Sequence, residues 1–215
     1  MKKEFFVVLD TETTNSIDDP LAYDVGFAVV NDEGRVFEAY SFVVAEVFLD
    51  EELMESAYFK EKIPMYWEDI KARRRILAKL STISRTLARI MKKYDTNIIC
   101  AHNARFDYRS TNTTQRFLTS SKYRYFFPYG IKICDTLKMA REAFSNEEDY
   151  IRFCDENGYR TSHNQLRMTA EILYRYISGN NEFIEEHKGL ADVLIEKEIL
   201  FACRERGVIN GSLWD

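Results

Sequence analysis

Hydrophobic and polar positions fall into blocks whose period changes along the chain. Phe5-Phe6-Val7-Val8-Leu9 is a strongly β-prone apolar run, and it ends in the polar stretch Asp10-Thr11-Glu12-Thr13-Thr14-Asn15. Two further β-like runs, Tyr23 to Val30 and Arg35 to Val44, are separated by Asn31-Asp32-Glu33-Gly34, a hairpin turn signal. Three antiparallel strands are therefore predicted to open the protein. The period then lengthens. From Trp67 to Tyr94, apolar residues fall at Ile70, Leu77, Leu80, Ile83, Leu87, Ile90, Met91 and Tyr94, which predicts continuous helix with one apolar stripe against the sheet. The Arg73–Arg75 run lies off that stripe and reads as a solvated helix face. Asn97 to Ala101 reads as a short buried strand parallel to the first, followed by a helix around Tyr108–Leu118. Gly130 to Cys134 is another short strand, and Asp135-Thr136 opens a helix with Asp135 as its N-cap. Three more helices are predicted over 146–157, 164–177 and 189–206. Strands paired first as hairpins, then alternating with helices, indicate an α/β fold: a mixed β-sheet, antiparallel then parallel, flanked by helices, with a helical C-terminal third.

Composition narrows this picture. A hydrophobic share of 46% in 215 residues is enough for a sizeable core, and a single domain over residues 1–215 is expected. No apolar run approaches the roughly 20 residues of a membrane span. The run after Met1-Lys2-Lys3-Glu4 is too short for a secretory signal, so a cytoplasmic protein is expected. Cys100, Cys134, Cys154 and Cys203 show no C-x-x-C spacing and read as free thiols. The net charge of −5 disfavours a general nucleic-acid coater. It is compatible with an enzyme that holds a strand end through cations, because the ions supply positive charge locally.

Three segments carry candidate chemistry. In Leu9-Asp10-Thr11-Glu12-Thr13-Thr14, residues two apart on a strand point to one face, so Asp10 and Glu12 aim two carboxylates at one spot. Burying like charges together is costly unless cations neutralise them, and hard oxygen ligands suit Mg²⁺ or Mn²⁺. In Ala101-His102-Asn103-Ala104-Arg105-Phe106-Asp107, a loop follows a buried strand; alone, His102 reads as a hydrogen-bonded structural residue and Asp107 as a helix cap. In His187-Lys188-Gly189-Leu190-Ala191-Asp192, a loop turns into the final helix; alone, His187 reads as an exposed residue between Glu186 and Lys188, while a mobile imidazole beside the fixed carboxylate of Asp192 is also a natural place for a general base.

In this order and at this wide separation, the L-D-T-E-T-T, A-H-N-A-R-F-D and H-K-G-L-A-D segments resemble the three exonuclease motifs of the DEDDh superfamily, over residues 5–200. That group includes proofreading epsilon-type subunits of replicative polymerases, RNase T and oligoribonuclease. The resemblance implies an RNase H-like fold and a metal-dependent 3′→5′ exonuclease acting on single-stranded DNA or RNA. Asp10, Glu12, Asp107 and Asp192 would hold two ions, Mg²⁺ or Mn²⁺, and His187 would act as general base. The implied partners are the 3′ end of a strand and a polymerase or replication assembly. Thr11, Thr13, Thr14, Asn103 and Phe106 are candidate substrate contacts, although Phe106 reads first as a core anchor, and Lys122 to Phe127 has the composition of a stacking platform or of a surface loop with buried rings. Gly189 replaces the alanine usual in the third motif, and Asn15 replaces a frequent glycine after the first. The interval from Asp135 to His187 is longer than in the smallest members, which leaves the local fold of residues 142–180 open. The alternative is a non-catalytic nucleic-acid-binding or interaction module on the same fold, which would be expected to have lost site residues.

Overall fold

A computed structural model describes residues 4–122, 124–209 and 211–212. Its centre is a six-stranded mixed sheet in the order β4 (Ile76–Ala78), β3 (Val36–Val44), β2 (Leu21–Asn31), β1 (Phe5–Thr14), β5 (Ile98–Ala101), β6 (Lys132–Asp135). Strands β1, β2 and β3 form the antiparallel half, with the β2–β3 turn where the sequence predicts it. Strand β5 runs parallel to β1, and β6 runs parallel to β5. Strand β1 runs on through the polar stretch to Thr14, so Asp10 and Glu12 lie on the strand, as the sequence predicts.

Every residue of β2 is buried, because helices cover both faces of the sheet. One core unites Val7, Leu9, Val25 and Phe27 with Ile83, Leu87 and Ile90 of α4 (Leu80–Lys93). The other unites Phe6, Val8, Ala28 and Val30 with residues of α6 (Thr136–Phe144), α7 (Glu148–Asn157), α8 (Ala170–Ser178) and α9 (Gly189–Glu205). By strand alternation, Asp10 and Glu12 share the second face with Phe6 and Val8. Helix α5 (Ala104–Leu118) follows β5 directly.

Two expectations are corrected. The continuous helix from Trp67 to Tyr94 is instead α3 (Ile63–Lys71), a turn, the edge strand β4 (Ile76–Ala78) and α4. The break has a tertiary cause. Arg75 is buried rather than solvated; it pairs with Asp24 and Asp69, while Arg73 turns the chain at φ 59°. The helix predicted over 164–177 starts only at Ala170, because 159–167 folds as a narrow hairpin: Thr161 N–H donates to the Gln165 carbonyl at 2.8 Å, and Arg167 N–H to that of Tyr159 at 3.0 Å. Two short helices, α1 (Ala45–Phe48) and α2 (Glu51–Met54), follow β3, and a 3₁₀ turn (Lys60–Lys62) leads from them into α3. The four cysteines are free, and no helix among the described residues is long and apolar enough to cross a membrane.

Candidate active site

The first motif lies on β1 opposite β2, with Asp10 facing Gly26 and Glu12 facing Asp24 across the ladder. At Gly26 the first turn of α9 lies directly on the strand. A Cβ there would fall 2.2 Å from the Gly189 backbone carbon, and one on Gly189 would fall 2.7 Å from the Gly26 nitrogen. This close approach explains glycine where the motif usually carries alanine. The Gly189 N–H also donates to Asp24 Oδ2 at 3.1 Å, and Asp24 accepts from the Tyr66 hydroxyl at 2.6 Å and from Arg75. The buried Asp24–Arg75 pair therefore ties the third motif to the sheet. At Asn15 the chain leaves β1 with φ 70°, the left-handed turn that glycine or asparagine accommodates.

Asp107 stands in the first turn of α5, buried, where it accepts the Thr11 hydroxyl at 2.8 Å. It is not the helix cap; Asn103 holds that position at φ 64°. Asp192, in the first turn of α9, accepts the Lys188 N–H at 2.5 Å. One turn further on, Glu196 is also buried, and it lies outside the three motif segments. Its spacing of four from Asp192 puts both on one helix face. The charges of Glu196, Asp107, Glu12 and Asp192 all act on Asp10. Thus three segments remote in sequence deliver five carboxylates to one place.

The electrostatics of this cluster are unfavourable for the protein alone. Burial, then the neighbouring carboxylates, pushes Asp10 and Glu196 well above the usual acid range. Glu12 rises to about 9, through burial and then Asp192; Asp192 rises to about 8, through burial and then Glu185; burial takes Asp107 to about 7. Asp10 Oδ2, Asp192 Oδ1 and Glu196 Oε2 are buried with no hydrogen-bond partner among the described residues. Hard oxygen donors, orphaned and mutually repelling, fit divalent cations such as Mg²⁺ or Mn²⁺.

His187 joins this group at its edge. One of its ring nitrogens lies within 4.8 Å of carboxylate oxygens of Glu12 and Asp192. The imidazole is not left swinging on its loop: it stacks on Phe59, with ring centroids 4.3 Å apart and planes 14° off parallel. Lys62 Nζ donates to the neighbouring Glu186 carbonyl at 2.6 Å. Partial burial, then the Lys62 charge, holds the imidazole below the usual histidine range. His102 takes the structural position its sequence suggests: Nε2 donates to the Met168 carbonyl at 2.7 Å, and Nδ1 lies 3.1 Å from the Thr136 hydroxyl. Asp135 caps α6 through the Leu137 N–H and accepts the Asn103 N–H, each at 3.0 Å.

The candidate substrate contacts divide. The hydroxyls of Thr11 and Thr14 are engaged inside the protein, with Asp107 and with Ser56 at 2.8 Å. Thr13 and Phe106 are half-buried and Asn103 is exposed. In the Lys122–Phe127 run, Phe126 and Phe127 are core residues and Tyr125 is exposed; Tyr123 lies outside the described residues.

No protein-family model and no curated protein sequence matches the chain. Solved structures do. An exonuclease I from Methylocaldum szegediense superposes with a TM-score of 0.57 at 16% identity, covering 94% of this chain and 40% of its own. The zinc-bound E. coli exonuclease I complex with single-stranded DNA gives 0.58 at 15% identity, with 94% and 41% covered. A product-bound exonuclease I gives 0.58 at 16% identity, with 95% and 44% covered. The chain thus spans about two-fifths of the length of these proteins, and it shares with them the exonuclease I fold.

Proposed function

We propose that the protein is a metal-dependent 3′→5′ exonuclease that removes nucleotides from single-stranded DNA or RNA. The observation that carries this reading is the convergence of Asp10, Glu12, Asp107 and Asp192 on one point of an exonuclease-type fold, with buried carboxylate oxygens that have no hydrogen-bond partner among the described residues. These four residues, joined by Glu196, would hold the cations. Bound there, Mg²⁺ or Mn²⁺ would neutralise the scissile phosphate and make the attacking water more acidic. An imidazole nitrogen of His187 accepts that water's proton, and burial beside Lys62 keeps the ring neutral and ready for it. Phe59 fixes the plane of the ring, and the Thr11 hydroxyl orients Asp107. Further support is that all five motif residues of the DEDDh pattern are present at the positions that converge.

The test is digestion of matched 3′-labelled single-stranded DNA, RNA and mismatched duplex ends, with Mg²⁺ and with chelator. Stepwise loss of the 3′ label as mononucleotides, only when the cation is present, is the expected result. Release from the 5′ end, or equal digestion in chelator, would overturn it.

A further inference from the structure

The carboxylate cluster opens into a cleft of about 1230 Å³ that runs away from Asp10 and Glu196 toward the hairpin at 159–167. The volume exceeds the roughly 300–1,000 Å³ of a small-molecule site, so this is a groove rather than a pocket for one nucleotide. Its lining combines the carboxylates of Asp10, Glu185 and Glu196 with Arg141 of α6 and with Arg160 and Arg167 of the hairpin. A chain of net charge −5 thus gathers three arginines into the same cleft as its buried carboxylates.

This wall is built rather than loose. The Tyr150 hydroxyl donates to the Arg167 carbonyl at 2.6 Å, and His102 from the second motif holds the next residue, Met168. Arg160 is braced by Asp155 at 2.5 Å and by the Asn164 carbonyl at 2.9 Å. Among the described residues, the Arg141 guanidinium has no hydrogen-bond or ion-pair partner, although it stands close enough to act on His102. Arg167 Nε donates to the Arg160 carbonyl at 3.2 Å, so two guanidinium groups are held in place with N–H groups to spare, and the whole fork of Arg141 is open. Such donors suit phosphodiester oxygens, which accept from them in pairs and are repelled by the carboxylates unless cations intervene.

We propose that Arg141, Arg160 and Arg167 bind the backbone phosphates of the strand on the 5′ side of the bond being cut, so that the hairpin forms the strand track of the enzyme. The proposal rests on the exonuclease reading above and assigns a role to the segment outside its three motifs. Guanidinium–phosphate contacts read no sugar, so DNA and RNA are held alike.

The experiment compares wild-type protein with Arg141→Ala and with the triple variant R141A/R160Q/R167Q. It measures fluorescence-anisotropy binding in Ca²⁺, and hydrolysis in Mg²⁺, for a dinucleotide and for strands of about 12 nucleotides in DNA and RNA. Among the described residues Arg141→Ala removes no side-chain hydrogen bond or ion pair, and a thermal melt verifies the fold of both variants. The long strands are expected to lose at least about tenfold in affinity with the triple variant, and the salt slope of log Kd to flatten by about 0.7 for each phosphate the variant no longer holds. The weakening on the dinucleotide is expected to be several times smaller. An equal weakening at both lengths, a weakening confined to one sugar, or unchanged salt dependence in both variants would overturn the proposal. A wild-type protein that cleaves no strand at all would instead mark failure of the exonuclease reading.

Discussion

His187 has two chemically distinct uses in this geometry. Its ring nitrogen lies within 4.8 Å of Glu12 and Asp192 oxygens, close enough to share a cation with them. It also stacks face to face on Phe59 at 4.3 Å, which orients the ring without tying up either nitrogen. The two uses separate on substitution. As a general base, His187→Ala lowers turnover by about 10²–10⁴-fold at saturating metal, while Mn²⁺ affinity measured by calorimetry changes little. As a ligand, the same substitution weakens Mn²⁺ binding, and excess metal restores turnover. We expect the first outcome, and recovery of activity at high Mn²⁺ would refute it. Glu196 shows the opposite problem for a reader of sequence. A glutamate on a helix looks like any solvated charge, and only its position four residues after Asp192, on the face that meets β1, makes it part of the site.

At the level of elements, the motif segments were legible because their signals are local. Asp10 and Glu12 share a face through strand alternation, and Gly189 and Asp192 mark a helix start whatever lies around them. The break at 72–79 was not legible, because the helical spacing of Leu77, Leu80 and Ile83 continues across it. What ends the helix is an ion pair between Arg75 and Asp24, residues 51 apart in sequence. The same aspartate anchors Gly189, so the segment at 72–79 and the third motif are tied to one buried carboxylate. The packing of α9 on β2 at Gly26 is the mechanical core of that structure. Gly26→Ala places a methyl group 2.2 Å from the Gly189 backbone, and a backbone atom cannot step aside as a flexible side chain would. The strain is expected to cost about 1–3 kcal/mol in urea unfolding. Displacement of Asp192 by even a fraction of this overlap is expected to reduce turnover on the order of 100-fold. Wild-type turnover in the folded variant would show that α9 does not fix the site.

For the whole molecule, the five clustered carboxylates make folding, protons and cations interdependent. A carboxyl whose pKa is raised in the folded state holds its proton more tightly there than in the unfolded chain. Folding therefore takes up protons between the two pKa values, and stability falls as pH climbs through that window. For Asp107, Asp192 and Glu12 the window opens at the ordinary carboxyl range near about 4 and closes at about 7, about 8 and about 9. Glu185, raised to about 7 by burial and then Glu171, adds to the same trend. In chelator, the melting temperature is thus expected to drop from about pH 5.5 to about pH 8.5, the reverse of a protein whose acids are salt-bridged. Divalent cations bind the ionised form, so their effect grows in the direction in which the metal-free protein weakens. At 100 times its Kd, an ion stabilises by about 2.7 kcal/mol, or about 5–10 °C for a chain of this size. Melts with Mg²⁺ and with chelator at both pH values test this. The increment from Mg²⁺ should be large near about pH 8.5 and small near about pH 5.5, and Asp10→Asn should shrink it while raising the chelator melt. An increment independent of pH would mean that the carboxylates are already ionised without metal, and that their convergence was not built around a cation.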